Sequence, residues 1–248
     1  MRKAGALVWR VHQRVRELVR PGVTTAELNA CAEELIAEAA ATPLFKGVRS
    51  KDARFPFPAA LCISVNDQVV HGIPGARRLN EGDVVSIDCG VRLNGYCGDA
   101  AYTWPAGSIS AANGRLLSVT SQALQLAIAQ IRPGRMWSEV ARAIQHFVEA
   151  NKMSVVREFV GHGIGREMHE DPKVPNFDDR KQRKHDFRLM PGMTLAVEPM
   201  VNLGGHAVQF GDGDRWTVVT KDGRAAAHFE HTVAVTETGA DVLTDGRE

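Results

Sequence analysis

The sequence lacks the features that most readily betray a function. Its four cysteines, Cys31, Cys62, Cys89 and Cys97, form no CxxC pair and no zinc-ribbon spacing, which excludes a disulfide framework and a structural zinc of that kind. A reducing compartment, the cytoplasm, is the expected setting. Charge of one sign is missing too. With 30 Lys and Arg against 29 Asp and Glu, no global basic field marks the chain for specific nucleic acid or for a membrane surface. No apolar run approaches the roughly 18 residues of a membrane span, and Ala4 to Trp9 is too short for a signal-peptide core. The Arg-rich segment Arg2 to Arg20 has the composition of a transit peptide. Its Val8, Val11, Val15, Leu18 and Val19 nevertheless fit the apolar stripe of a domain helix. What is present, 44% hydrophobic and 24% charged residues over 248 positions, is the profile of one globular domain with ample core.

An internal repeat organises that domain. Arg20-Pro21-Gly22 opens one segment and Arg132-Pro133-Gly134 another; Glu27, Leu28, Ala32, Leu35 and Ile36 after the first match Glu139, Val140, Ile144, Phe147 and Val148 after the second. Both segments carry an amphipathic helix stripe, and Thr24 with Glu27 fits a capping box. Gly82 to Asp88 is echoed by Gly192 to Glu198, each a β-type run that ends on an acid. The expected fold is therefore α+β and pseudo-two-fold: one domain over residues 1–248, made of halves at about 1–105 and 113–248, with a site at their junction. Pro105 to Asn113 reads as a soft connector and Asp171 to Pro191 as a surface loop. The basic run Arg180 to His185 reads as a solvated face, with a transient ribosome or an RNA contact as the alternative.

Acids on strands carry the chemistry. If Asn94-Gly95 is a two-residue hairpin turn, Asp99 pairs with Gly90 and Asp88 with Ala101. The two acids are then diagonal neighbours on one face, with backbones roughly 7 to 8 Å apart, and Cys89 and Cys97 lie on opposite faces. Asp222-Gly223 marks a second hairpin, between Trp216 to Thr220 and a strand through Phe229 to Val235 that contains Glu230. Glu198 sits comparably between Val197 and Pro199. Any one of these acids fits a salt-bridged structural role equally well. Converging together, they would repel by several kcal/mol per pair even at an effective dielectric near 20, and must be protonated or neutralised. Two divalent cations would balance them; oxygen ligands with an imidazole suit Mn, Fe, Co or Zn. His71, His162 and His169, each near glycines that let a ligand approach the backbone, are the imidazole candidates.

Together these motifs resemble the type I methionine aminopeptidases, of the pita-bread fold, over about residues 1–239. The matching stretches are Cys62 to Asn66 with His71 to Pro74, Ser86 to Asp88 with Gly98-Asp99, Gly161 to Gly165 with His169-Glu170, Val197 to Met200, and Phe229 to Thr232. The resemblance implies that Asp88 chelates one metal, that Asp99 and Glu230 bridge two, and that His162 and Glu198 hold the second. It places His71 near the scissile nitrogen and gives His169 the oxyanion, while Glu198 passes a proton to the leaving amine. Phe57, Cys62, Met168 and Trp216 would line the methionine pocket, although each serves equally well as core; Met168 replaces the phenylalanine usual there. The implied activity is removal of the initiator methionine from nascent polypeptide N-termini with a small second residue, by a cytoplasmic monomer. Only 35 residues separate His162 from Glu198, which leaves no room for the type II insertion. An X-Pro peptidase would be expected to carry a further N-terminal domain, and a catalytically dead binding module to have lost a ligand.

Overall fold

Asn94 and Gly95 both take positive φ, 52° and 79°, and close a hairpin in which Leu93 faces Tyr96. A turn of that hand matches the right-handed twist of the flanking strands. Asp83–Leu93 and Tyr96–Ala106 then run antiparallel in a register that sets Asp88 opposite Ala101 and Gly90 opposite Asp99, as the spacing predicts. This computed structural model describes residues 1–211 and 213–247.

Two helix pairs cover the sheets: α1 (Arg2–Leu18) with α2 (Thr25–Glu38), and α3 (Ala111–Gln130) with α4 (Trp137–Ala150). Thr24 and Glu27 form the expected capping box. Leu7, Val11, Leu28 and Ile36 pack on Leu61, Ile63 and Ile87; Leu116, Leu124, Trp137 and Ile144 pack on Leu195, Val197 and Val233. The repeat extends to single hydrogen bonds. Gly22 N donates to Leu79 O at 2.8 Å, and Gly134 N to Leu189 O at 2.8 Å. Arg78 Nη1 donates to Gly22 O at 2.6 Å, and Arg188 Nη1 to Gly134 O at 2.7 Å. Both glycines have the left-handed backbone, φ 90° and 85°, that an L side chain rarely adopts. The architecture is pseudo-two-fold, with antiparallel sheets inside and helices outside, as the resemblance to the pita-bread fold implies.

Three local expectations are corrected. The connector is shorter than Pro105 to Asn113: Pro105 and Ala106 finish a strand, and Ser110 caps α3 through Asn113 N. The segment from Asp171 is not all surface loop, because Glu170–Val174 is a strand and Asn176 and Phe177 are buried beside Trp137, whose Nε1 donates to Pro175 O at 2.8 Å. Asp222-Gly223 is a turn, with Gly223 at φ 70°, but its flanks do not pair with each other. Val218–Thr220 joins Val208–Phe210 and Gln68–Val70, whereas Ala226–His228 joins Met200–Asn202. The chain leaves that turn into two different sheets, which local sequence cannot signal.

Candidate metal centre

Glu198 and Glu230 occupy breaks between strands, not strand interiors. Thr194–Val197 pairs with His231–Val235, and beyond the break Met200–Asn202 pairs with Ala226–His228. His231 faces Val197 and Met200 faces His228, so the same register carried across the break sets Glu198 opposite Glu230. The first half supplies the partners freed by this break. Glu230 N donates to Ala101 O at 2.8 Å. On either side a threonine hydroxyl clasps one residue twice. Thr232 Oγ1 accepts from Asp99 N at 3.0 Å and donates to Asp99 O at 2.8 Å; Thr103 Oγ1 accepts from His228 N at 2.9 Å and donates to His228 O at 2.8 Å. The strand bearing Asp99 and the segment bearing Glu230 are thus stitched antiparallel, and alternation turns both acids to one face.

His162 reaches the same face from Gly161–Gly163, between Thr194–Val197 and Glu170–Val174. A Cβ on Gly161 would lie 2.2 Å from Ala196 O, and one on Gly163 2.3 Å from Asp171 O. These glycines therefore admit neighbouring strands of this chain and not, as expected, a ligand. Gly163 O lies 2.8 Å from His162 Nδ1; a carbonyl only accepts, so Nδ1 holds the proton and the Nε2 lone pair is free for a metal.

His71, Asp88, Asp99, His162, His169, Glu198 and Glu230 all line one cavity of about 230 Å³, and Phe57, Cys62, Met168 and Trp216 close its apolar end. Trp216 Nε1 donates to Phe55 O at 2.8 Å, and its ring meets Phe57 edge-on at 5.3 Å, fixing the Arg54 to Pro58 stretch as one wall. His71 has φ 58° and packs edge-on against Phe159 at 5.3 Å. His169 is exposed at the rim with its ring 4.3 Å from that of His162. Donor atoms converge in two triads, Asp99 with His162 and Glu230, and Glu198 with His228 and Glu230, the atoms of each within 4.8 Å of one another. Asp88 lines the same cavity but belongs to neither triad. His228 is a member the sequence reasoning missed; its position two residues before Glu230, on the same strand face, was the available signal.

Among the described residues no Lys or Arg lines this cavity. Burial, then the charges of Asp99 and Glu198, pushes the Asp88 carboxyl well above its ordinary range, and burial with Asp99, Glu198 and Asp88 does the same to Glu230. Burial, opposed by His162, raises Asp99 to about 6. Burial also acts to raise Glu198, but the neighbouring His228, His162 and His169 outweigh it and hold that carboxyl low. Asp88 Oδ1, Asp99 Oδ1, Glu230 Oε1 and His228 Nε2 are buried with no hydrogen-bond partner among the described residues. Orphaned carboxylate oxygens with an imidazole lone pair are the donor set of a divalent transition-metal site.

The comparisons with known proteins agree with that chemistry. The model of metallopeptidase family M24 matches residues 1–237. The chain belongs to that family. It is 50% identical to the methionine aminopeptidase of Clostridium perfringens and 47% identical to methionine aminopeptidase 1 of Bacillus subtilis, each over 244 residues that cover 98% of this chain and 94% of the relative. The crystal structure of the methionine aminopeptidase from Thermotoga maritima superposes with a TM-score of 0.91 at 40% identity, covering 98% of this chain and 94% of that one.

Proposed function

We propose that this chain is a metal-dependent aminopeptidase that releases the initiator methionine from nascent proteins and peptides whose second residue is small. The observation that carries the reading is a set of buried, mutually destabilised carboxylates with no cationic side chain among them, at the wall of a sulfur- and aromatic-lined pocket. The family and the names of its relatives support the same activity.

In this reading Asp88 would hold one ion, Asp99 and Glu230 would be shared by two, and His162 and Glu198 would complete the second site. Two divalent ions, from among Co, Mn, Fe and Zn, would supply Lewis acidity toward the scissile carbonyl and a water activated at neutral pH. The protein's own groups do the rest. Glu198 carries a proton to the leaving amine. His169 donates to the oxygen that gains charge. His71, whose ring burial lowers its pKa to about 4, stays neutral and hydrogen-bonds near the scissile nitrogen. Phe57, Cys62, Met168 and Trp216 hold the methionine thioether. A bulky second residue would press on His71 at the cavity wall; the backbone at Gly72 is closed off by the chain itself, since a Cβ there would lie 2.2 Å from Ile63 O. A displacement of about 1 Å can cost on the order of a hundredfold in rate. The proposed unit is the whole chain as one catalytic domain of two halves, acting as a monomer, with the exposed basic side chains of Arg180 to His185 as a surface for transient ribosome contact.

The test is methionine release from matched peptides with Ala, Val and Leu in second place, before and after a strong chelator and metal readdition. Release should vanish on chelation, return with metal, and fall steeply from Ala to Leu. Full activity in metal-free protein sinks the reading, and equal rates for the three peptides sink its specificity.

A further inference from the structure

His228 ends the strand Ala226–His228 with its ring turned into the acid cluster. The residue is 2% exposed and its Nε2 has no hydrogen-bond partner among the described residues. That nitrogen stands 3.6 Å from Glu198 Oε2 and 3.9 Å from Glu230 Oε2. Both distances are too long for hydrogen bonds. They match instead the spacing of donors that share an ion, since bonds of about 2.0–2.2 Å to one centre leave neighbouring donors roughly 3–4 Å apart. His162 has the same relation to the other oxygen of the same carboxylate, with Nε2 3.7 Å from Glu198 Oε1. Glu198 is thus bracketed by two imidazoles, one on each oxygen.

The fold also builds the position. Both backbone polar groups of His228 are clasped by Thr103, so the ring is held by the seam between the halves. Histidines that serve packing alone look different here: on the far side of the same strands, His12 Nε2 lies 2.8 Å from Ala100 O and His231 Nδ1 2.8 Å from Thr244 Oγ1.

We propose that His228 is itself a ligand of the metal centre, donating Nε2 beside Glu198 and Glu230. The site then offers two imidazole nitrogens, from His162 and His228, where the resemblance implies one. The inference rests on the metallo-aminopeptidase reading. A donor set richer in nitrogen should favour Zn and Co over Mn more strongly than a single imidazole would.

Full-length protein labelled with ¹⁵N in the histidine rings and loaded with ¹¹³Cd gives a direct count, because coordination creates a scalar coupling between metal and ring nitrogen. Two coupled imidazole nitrogens are expected, one of which disappears in His228→Gln. The same variant should bind Zn(II) about 10–100-fold more weakly in a chelator competition, with a much smaller change for Mn(II). His228→Asn provides a second, smaller replacement if Gln disturbs the fold, and the wild-type count needs neither. A single coupled nitrogen, or two that both persist in a folded variant, overturns the role of His228 and leaves the aminopeptidase reading intact. Failure of the wild-type protein to take up metal overturns both.

Discussion

The strands that join the two halves carry a buried polar cluster on each face, and the clusters are built on opposite terms. On the rear face Tyr102 lies between His12 and His231, with ring centroids 4.7 Å and 5.6 Å away, and Thr244 accepts from or donates to its neighbours. Burial lowers the pKa of both histidines to about 4, so they are neutral, and each makes a hydrogen bond. His12 Nδ1 lacks a partner, but a lone pair on a neutral ring costs far less to bury than a carboxylate. On the front face the acids are just as deep, with Asp99 3% and Glu230 2% exposed, and among the described residues Asp99 Oδ1 and Glu230 Oε1 have no hydrogen-bond partner. Polar groups at equal depth on the two faces thus separate by charge and satisfaction: the rear cluster leaves only a neutral ring nitrogen without a partner, and the front one leaves carboxylate oxygens that cations would neutralise.

Neutralising a front acid should have the largest effect and should split activity from stability. Glu230→Gln is expected to lower kcat/KM by at least about a hundredfold, since losing even an outer partner of a metal ligand costs ~10–100-fold. In metal-free protein it should raise the Tm, because one of the repelling acids is gone. Peptide assay and thermal melt on one preparation decide; a lower Tm in the metal-free variant breaks the contrast between the faces.

The rear face should respond in the reverse way. His12→Ala is expected to cost about 2–5 kcal/mol, the range of large-to-small core changes, while the folded fraction keeps its kcat/KM and its metal. Urea unfolding and metal analysis check this, and loss of metal would show that the rear cluster supports the site.

The pH dependence of metal-free stability sharpens the comparison, because the two faces slope oppositely. For Asp99, raised by burial to about 6, the unfolded chain binds fewer protons than the folded one; its stability is present below the ordinary carboxylate range and is lost as pH rises through about 6. For His12 and His231, lowered to about 4, the unfolded chain binds more protons; their stability is present above 6.5 and is lost as pH falls toward 4. Asp99→Asn removes one front contribution, so stability between pH 4 and 6.5 should rise with pH more steeply than in the wild type. Parallel urea titrations across that window test it, and an unchanged slope counts against the front assignment. The smallest effect belongs to a site remote from both clusters: Thr24→Ala removes the capping box of α2 and should cost about 1 kcal/mol with activity unchanged.

Short-range chemistry was legible in the chain. The Asn94-Gly95 turn and the two-residue period of a strand were enough to put Asp88 and Asp99 on one face, and the Pro-Gly turns with the Thr24 cap placed the paired helices. The motifs around His162, Glu198 and Glu230 were visible as a resemblance. Each of these signals lies within a few residues, where backbone sterics and alternation decide. The side of the second half was harder to read: the strand flanks of Asp222-Gly223 part into different sheets, and the buried stretch around Phe177 has the composition of a loop.

Tertiary structure alone decided that Glu198 and Glu230 face one another across a break in their strands, that the clasps between residues 99 and 232 and between residues 103 and 228 fix their height, and that His228 joins them. These depend on threonine hydroxyls and backbone groups more than 100 positions apart finding one another, for which no local pattern exists. The sequence supplies acids, imidazoles and small residues in the right order. Whether a given acid is a paired structural group or an unpaired metal ligand depends on which oxygens the packed strands leave without a hydrogen-bond donor, and that is settled only when both halves are in contact.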